Sequence, residues 1–323
     1  MNVLVTGASG FTGHYLIKHL LSSYKGALPI WGISRSAPKI SHSGCTYIRA
    51  DLSQREQVET VIKKVSPDAV IHLAGLNHGT LVELLQANVI NTEHLLKAVQ
   101  EERPDARVLI IGSSAEYGYG GEKPITENEP LRPISSYGIS KVSEDLLAIQ
   151  YYTAYNLGVA VARPFNLIGP YQSDSFICGK LIRHAAEIRD GKREAFDLAS
   201  IDARRDFIDV RDVVDAYWRL LSHENFEKRV AGRAFNIGSG RSYAISEVIQ
   251  EITMITGRSY KVHLSVQPPR DLVPVQIADI ILIEKVTGWR PSTPLCRSLE
   301  DMIGHLSNSD KSPFPKPYGQ DLL

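Results

Sequence analysis

The first half of the chain alternates short runs of Val, Ile and Leu with longer stretches whose apolar positions recur at helical spacing. The runs at 2–6, 29–34, 46–48, 69–73, 107–112 and 158–162 predict strands, and the stretches at 10–23, 54–65, 81–101 and 136–155 predict the helices between them. Val70-Ile71 and Val108-Leu109-Ile110-Ile111 carry no polar interruption, as parallel strands buried on both faces require. Strand–helix alternation of this kind predicts an α/β fold with a doubly wound parallel sheet. From Arg163 onward the regularity breaks. Pro164, Gly169, Pro170 and Gly179 punctuate the chain, and a mixed basic and acidic stretch covers 189–205. Asp209-Val-Arg-Asp212 then opens another helix with Asp209 as its N-cap. A strand at 234–237, a helix at 246–256, a turn at Pro268-Pro269, a helix at 295–306 and an extended Ser-Pro-Phe-Pro-Lys-Pro tail complete the pattern. The expected organisation is a sheet domain from 1–166 with 209–237, and a smaller C-terminal lobe from 167–208 with 238–323.

Composition narrows the function classes. Hydrophobic residues make up 43% of 323 and charged residues 22%, enough to bury a sizeable core. Lys and Arg total 36, as do Asp and Glu, and the absence of a basic surplus argues against nucleic acid as a partner. Cys45, Cys178 and Cys296 are widely spaced, without the close pairing of a metal or redox site, so they read as reduced packing residues. No apolar run approaches the ~18 residues of a membrane span. Met1 leads directly into Val3-Leu4-Val5 without a basic leader segment. The expectation is a cytoplasmic protein with no membrane partner.

Gly7-Ala-Ser-Gly10-Phe-Thr-Gly13 follows the first strand and opens a helix. In that context the glycines permit a tight turn and let the backbone approach a pyrophosphate, which rests on the helix N-terminus. The motif makes the sheet a dinucleotide-binding Rossmann fold. At the end of the second strand, where a carboxylate would bind the ribose hydroxyls of NAD, stand Ser34-Arg35-Ser36. A guanidinium there suits a 2′-phosphate, with the serines as extra donors. The cofactor expected is NADP(H), with NAD(H) as the alternative.

Tyr137 and Lys141 lie at i and i+4 on one helix face. A neighbouring ammonium favours the phenolate, so the pair can move a proton to or from a substrate oxygen. The strand at 107–112 ends at Gly112-Ser-Ser114-Ala-Glu116-Tyr-Gly118, and a strand C-terminus opens into the ligand crevice, within which Ser114 could reach the same carbonyl.

Together with His72-Leu-Ala-Gly75, Arg163-Pro-Phe-Asn166, Arg205-Asp-Phe-Ile-Asp-Val-Arg-Asp212 and Phe235-Asn-Ile-Gly238, these motifs resemble the extended short-chain dehydrogenases/reductases, in particular the nucleotide-sugar branch and its 4-keto-6-deoxy-sugar reductases. The resemblance implies Tyr137 as proton donor, Lys141 on the nicotinamide ribose and Ser114 orienting the keto group. It implies pyrophosphate contacts from Gly7, Gly10, Phe11, Thr12 and Gly13, and further cofactor contacts from Leu73, Ala74, Gly75 and Pro164. Asp51 and Leu52 would flank the adenine. Asn166 and Arg205 would sit in the substrate crevice, and Arg270 would meet the diphosphate of a nucleotide-sugar. Asp206, Asp209 and Asp212 read as capping residues rather than metal ligands, and no metal is expected.

Three reactions share this scaffold. Reduction of a C4 keto group is favoured by the resemblance, while 4,6-dehydration stays open because Glu116 could act as its base. Epimerisation at C4 stays open too, and so does a non-catalytic NADP(H)-binding regulator, against which the intact Ser114, Tyr137 and Lys141 set argues. The helices at 81–101 and 136–155 carry Leu84, Leu85, Leu95 and Leu96, and Leu146, Leu147 and Ile149. Those side chains could pair with a second copy as a four-helix bundle, and the resemblance favours such a homodimer.

Overall fold

The computed structural model describes residues 1–38, 40–265 and 273–308. Its strands are β1 (Val3–Thr6), β2 (Ile30–Ser34), β3 (Cys45–Arg49), β4 (Ala69–His72), β5 (Arg107–Ile111), β6 (Gly158–Pro164), β7 (Asn166–Ile168), β8 (Ala195–Leu198), β9 (Arg204–Asp209), β10 (Ala234–Ile237), β11 (Ser242–Ala244) and β12 (Lys261–Leu264). Seven of them form one sheet in the order β10-β6-β5-β4-β1-β2-β3, every pair parallel.

Alternation along the strands divides the core into two layers. Val3, Val5, Ile71 and Leu109 pack under α1 (Phe11–Tyr24), with residues of the later helix Val210–Leu221 beside it. Leu4, Val70, Val108 and Ile110 face α2 (Arg55–Val65) and its neighbours. A strand whose two faces are both covered has no polar positions to spare, which is why these runs read so plainly in the sequence. The chain leaves β1 in one direction and β4 in the other, so a crevice opens between their C-terminal ends, where ligands bind in such sheets.

The stretch at 81–101 is not one regular helix. It comprises α3 (Leu81–Leu85), a π-helical turn at Gln86–Ile90 and α4 (Asn91–Glu102). The wide turn coincides with buried Asn88, whose side chain accepts from the Leu76 amide (2.7 Å) and donates to the Leu76 carbonyl (2.8 Å) and Ser140 Oγ (2.9 Å). Local π turns of this kind concentrate at functional sites; here the turn ties the loop after β4 to α5 (Ser136–Tyr155).

Burial also corrects the assignment of the helix surface. Leu84, Leu95 and Leu96 are buried within the subunit, and Leu85, Leu147 and Ile149 are half-buried. The apolar side chains that α3 to α5 do expose are Leu81, Val82, Ile90, Ile139 and Leu146.

After β6 the chain builds two small sheets, β11-β9-β7 and β12-β8, around a separate core formed by α6 (Ile177–Arg189), the helix at Ile245–Thr256 and the helix at Leu295–Asn308. The strands β7, β8, β9, β11 and β12 have no counterpart in the sequence-based expectation; most are three or four residues long, too short to carry a period. Pro268, Pro269, Arg270 and the Ser-Pro-Phe-Pro-Lys-Pro tail lie outside the described residues.

Three aspartates clamp this region to the main sheet. Asp209 caps α7 (Val210–Leu221) through the Arg211 amide (2.8 Å) and accepts Ser298 Oγ (2.6 Å). Asp212 accepts the amides of Ser292 and Thr293, and Asp206 those of Ser239, Gly240 and Ala278. Among the described residues no cluster could hold a metal ion, and no helix is long and apolar enough to cross a membrane.

Candidate active site

A cavity of about 770 Å³ opens at the C-terminal ends of the central strands, between the sheet and the lobe. Its floor begins at the glycine turn. Gly7 adopts φ +65°, and a Cβ there would stand 2.8 Å from the Ala74 amide nitrogen. A Cβ on Gly13 would stand 2.5 Å from the Gly7 carbonyl oxygen, and one on Gly10 3.2 Å from it. Side chains are therefore excluded at Gly7 and Gly13 and crowded at Gly10, and the turn presents bare backbone at these positions. Gly10 is the N-cap of α1 and supplies no side-chain cap, and the first turn holds no acidic residue. The first-turn amides of such a helix have no acceptor within it, so the helix end fits a pyrophosphate.

Gly10, Phe11, Thr12, Leu73, Gly75, Pro164 and Arg35 line this part of the cavity, whereas Gly7, Gly13, Ala74, Asp51 and Leu52 do not. Asp51 Oδ1 accepts the Ser53 amide (3.0 Å), and the Leu52 carbonyl lies 2.9 Å from His94 Nδ1. Arg35 follows β2 and makes no ion pair among the described residues. Ser34 is not available as an extra donor, because its hydroxyl is spent on the Ser36 carbonyl (2.7 Å). Tyr217 from α7 also lines the cavity, and its buried hydroxyl has no hydrogen-bond partner among the described residues. An orphaned buried hydroxyl costs about 1–3 kcal/mol, and a bound ligand is a natural source of the missing partner.

Tyr137 and Lys141 project from the first turns of α5 into the same cavity. Burial raises the Tyr137 pKa; Lys141 and a hydrogen bond with the Ser113 side chain work against that rise. Lys141 is buried, and burial is the largest influence against its charge, but Glu144, Tyr137 and Glu116 together outweigh it and the pKa is raised. Lys141 Nζ donates to the Ile111 carbonyl (2.8 Å) and to Glu144 Oε2 (2.6 Å).

Two expectations change at the end of β5. The Ser113 side chain, also on the cavity wall, favours the Tyr137 phenolate, while Ser114 Oγ donates to Gln276 Oε1 (3.3 Å). Sequence reasoning missed Ser113, although Ser113-Ser-Ala-Glu116 has the form of a capping box. That box is present: Ser113 Oγ accepts the Ala115 amide (3.1 Å) and Glu116 Oε1 accepts the Ser113 amide (2.6 Å). It holds Ser113 Oγ on the Ala115 amide, and Glu116 does not line the cavity. Glu116 is fully buried and ion-paired with Arg163 Nε (2.8 Å), and burial with the nearby Asp145 raises its pKa well above the ordinary carboxylate range. It is not a substrate-facing base.

On the lobe side, Asn166 and Arg205 line the cavity. Asn166 Nδ2 donates to the Asp206 carbonyl (3.1 Å) and Arg205 Nη1 to the Arg204 carbonyl (3.0 Å). Tyr171, Gln172 and Gln276 join them. Arg270 lies outside the described residues. Among the described residues that line the cavity there is no Asp or Glu.

Residues 4–302 match the family model for GDP-mannose 4,6 dehydratase. The chain is similar to the GDP-6-deoxy-D-mannose reductase of Pseudomonas aeruginosa, 31% identical over 93% of this chain and 95% of that protein. It is also similar to a UDP-glucose 4-epimerase of Halalkalibacterium halodurans, 27% identical over 96% of each. Among solved structures it resembles RMD from Pseudomonas aeruginosa complexed with NADPH, with a TM-score of 0.80 and 29% identity over 95% of this chain and 99% of that one.

Proposed function

The chain belongs to the GDP-mannose 4,6-dehydratase family, within the extended short-chain dehydrogenases/reductases, and from that premise we propose that it is an NADPH-dependent reductase of the C4 keto group of a nucleotide-activated 4-keto-6-deoxy sugar. The observation that carries this reading is the cavity wall: Tyr137, Lys141 and Ser113 converge on it, and no carboxylate does among the described residues. Dehydration needs an acid–base pair to remove water across C5–C6. Glu116, the carboxylate nearest in sequence, is committed to Arg163 and the Ser113 amide.

Bound NADPH supplies the hydride that the keto carbon accepts. The amides at the start of α1 would hold its pyrophosphate, and Arg35 would pair with its 2′-phosphate. Tyr137 protonates the forming alkoxide, Ser113 orients the keto oxygen, and Lys141 keeps positive charge beside the phenol. Asn166 and Arg205 hold the sugar-nucleotide on the lobe side, and Ser114 meets it from the end of β5.

Incubation with NADPH and 4-keto-6-deoxy sugars carried on guanosine, thymidine, uridine or cytidine diphosphate tests the assignment. NADPH should be oxidised in step with the appearance, by NMR, of the C4 alcohol of the 6-deoxy sugar. Interconversion of C4 alcohols without net cofactor consumption would instead mark an epimerase, and tight NADPH binding with no turnover a regulator.

Cofactor choice has its own test. Replacing Arg35 by Glu puts a carboxylate where the 2′-phosphate would lie. The preference for NADPH over NADH should fall about 10- to 100-fold, the equivalent of one charge-assisted hydrogen bond lost, read as the ratio of the two kcat/KM values.

A homodimer is part of the same reading. Val82 and Leu146 are 76% and 61% exposed, with Ile90 and Ile139 beside them, and apolar stripes on adjacent helices suit pairing as a four-helix bundle. Leu146→Arg is expected to shift the protein from dimer to monomer in size-exclusion chromatography with light scattering.

A further inference from the structure

The ammonium that serves Tyr137 is not alone in the interior. Glu144 lies on α5 one turn beyond Lys141, and both oxygens of its fully buried carboxylate are engaged. Oε2 accepts from Lys141 Nζ at 2.6 Å and Oε1 from Thr92 Oγ1 at 3.0 Å. His72, from the end of β4, approaches Oε1 at 3.8 Å and contacts Thr92 Oγ1 at 2.9 Å and Thr6 Oγ1 at 2.7 Å. Burial, with Lys141 adding to it, holds His72 neutral, its pKa lowered to about 3.

Directions can be assigned through this chain. Thr6 Oγ1 accepts the Ala74 amide (3.2 Å), so its own proton can go to His72 Nδ1. A neutral ring protonated on Nε2 then donates to Thr92, whose single hydroxyl proton is shared between the Asn88 carbonyl (2.7 Å) and Glu144 Oε1 (3.0 Å). Hydrogen bonds thus run from the strand that carries the glycine turn, through the next strand and α4, to the lysine beside the phenol. A charged carboxylate this deep would be costly unless paired, and its one cationic partner in direct contact is Lys141.

We propose that Glu144 is a positioning residue for the Lys141–Tyr137 pair: its carboxylate fixes Lys141 Nζ against the end of β5 and sets how much positive charge the phenol feels. This rests on the reading of Tyr137 as the proton donor. Other charges and titratable groups face the pair as well. Glu116 comes from the turn after β5, Asp145 from α5 itself, Tyr217 from α7 and His72 from β4. None of these makes a hydrogen bond with Lys141 Nζ, which Glu144 does.

The test is a titration that needs no substrate. The phenolate absorbance of Tyr137 is obtained by subtracting the titration of a Tyr137→Phe counterpart from that of each protein, with the cofactor bound. Glu144→Gln keeps the shape and removes the charge. Without that counter-charge burial disfavours the Lys141 ammonium, the phenol loses the cation that favours its phenolate, and the Tyr137 titration should move about 1–3 units toward alkali. Reduction needs the protonated phenol, so the alkaline limb of the kcat/KM profile should move the same way.

Glu144→Asp covers the case in which Glu144→Gln does not fold. It retains the charge one methylene short, should leave the phenol titration close to wild type, and should lower kcat about 10-fold or more through displacement of Lys141. A phenol titration in Glu144→Gln that coincides with wild type overturns the proposal, as does a Glu144→Asp enzyme with unchanged kcat. If the titration moves but no keto sugar is reduced, the positioning role stands and the reductase reading falls. Turnover without the movement sinks the positioning role and leaves the reductase reading intact.

Discussion

Replacing Tyr137 by Phe is expected to lower kcat by about 10²- to 10⁴-fold, the usual contribution of a positioned general acid, and to leave the dissociation constant of NADPH nearly unchanged. The substitution deletes one oxygen. The amides at the start of α1 and the Arg35 guanidinium stay where they are, so cofactor binding keeps its contacts. What is lost is the proton donated as charge develops on the substrate oxygen, an interaction that matters in the transition state and little in the ground state. Wild-type reduction should itself decline at alkaline pH. The phenol must be protonated, its buried setting raises its pKa, and activity is lost as pH rises through that value. The Phe variant should lose this limb along with most of its rate, which stopped-flow NADPH oxidation across a pH series would read. A Phe variant with wild-type kcat would remove Tyr137 from the chemistry.

Arg163→Met should have the largest effect on stability. Arg163 is buried, and its guanidinium serves two carboxylates and a phenol. Nε lies 2.9 Å from Asp145 Oδ2 and 2.8 Å from Glu116 Oε2, Nη1 donates to Tyr117 Oη at 2.9 Å, and Nη2 also pairs with Asp145. Tyr117 passes the chain of bonds on to Asn236 Oδ1 at 2.8 Å, reaching β10 at the edge of the sheet. Removing the cation strands two buried acids beside each other, and loss of one partner from a buried ion pair costs about 3–5 kcal/mol. The unfolding midpoint should fall on the order of 10 °C in differential scanning calorimetry. Glu116→Gln, which leaves Arg163 paired with Asp145, should cost distinctly less.

Periodicity made the main sheet readable because each of its inner strands is covered on both faces, and the glycine turn was readable because its spacing has a steric cause. The Tyr137–Lys141 pair was likewise visible as two residues one helical turn apart. What escaped was decided by contacts between distant segments. How Ser113 and Ser114 sit depends on how the chain leaves β5, where the capping box with Glu116 fixes the turn. Glu116 looks like a candidate base in sequence, but Arg163, from β6, claims it. Glu144 has an ordinary place in the sequence; its partners Thr92 and His72 lie 52 and 72 residues away. The lobe was harder still, since three-residue strands such as β7 and β11 carry too little pattern to register.

The placing of β10 has a consequence for how the molecule is made. On the ribosome, the first six strands of the main sheet have all emerged by Pro164, but the seventh, Ala234–Ile237, follows only after the intervening lobe segments. Until then β6, whose apolar positions are buried in the finished protein, would present a bare hydrogen-bonding edge on which other chains could add. A truncated product ending before residue 234 should therefore aggregate rather than persist as a smaller folded unit.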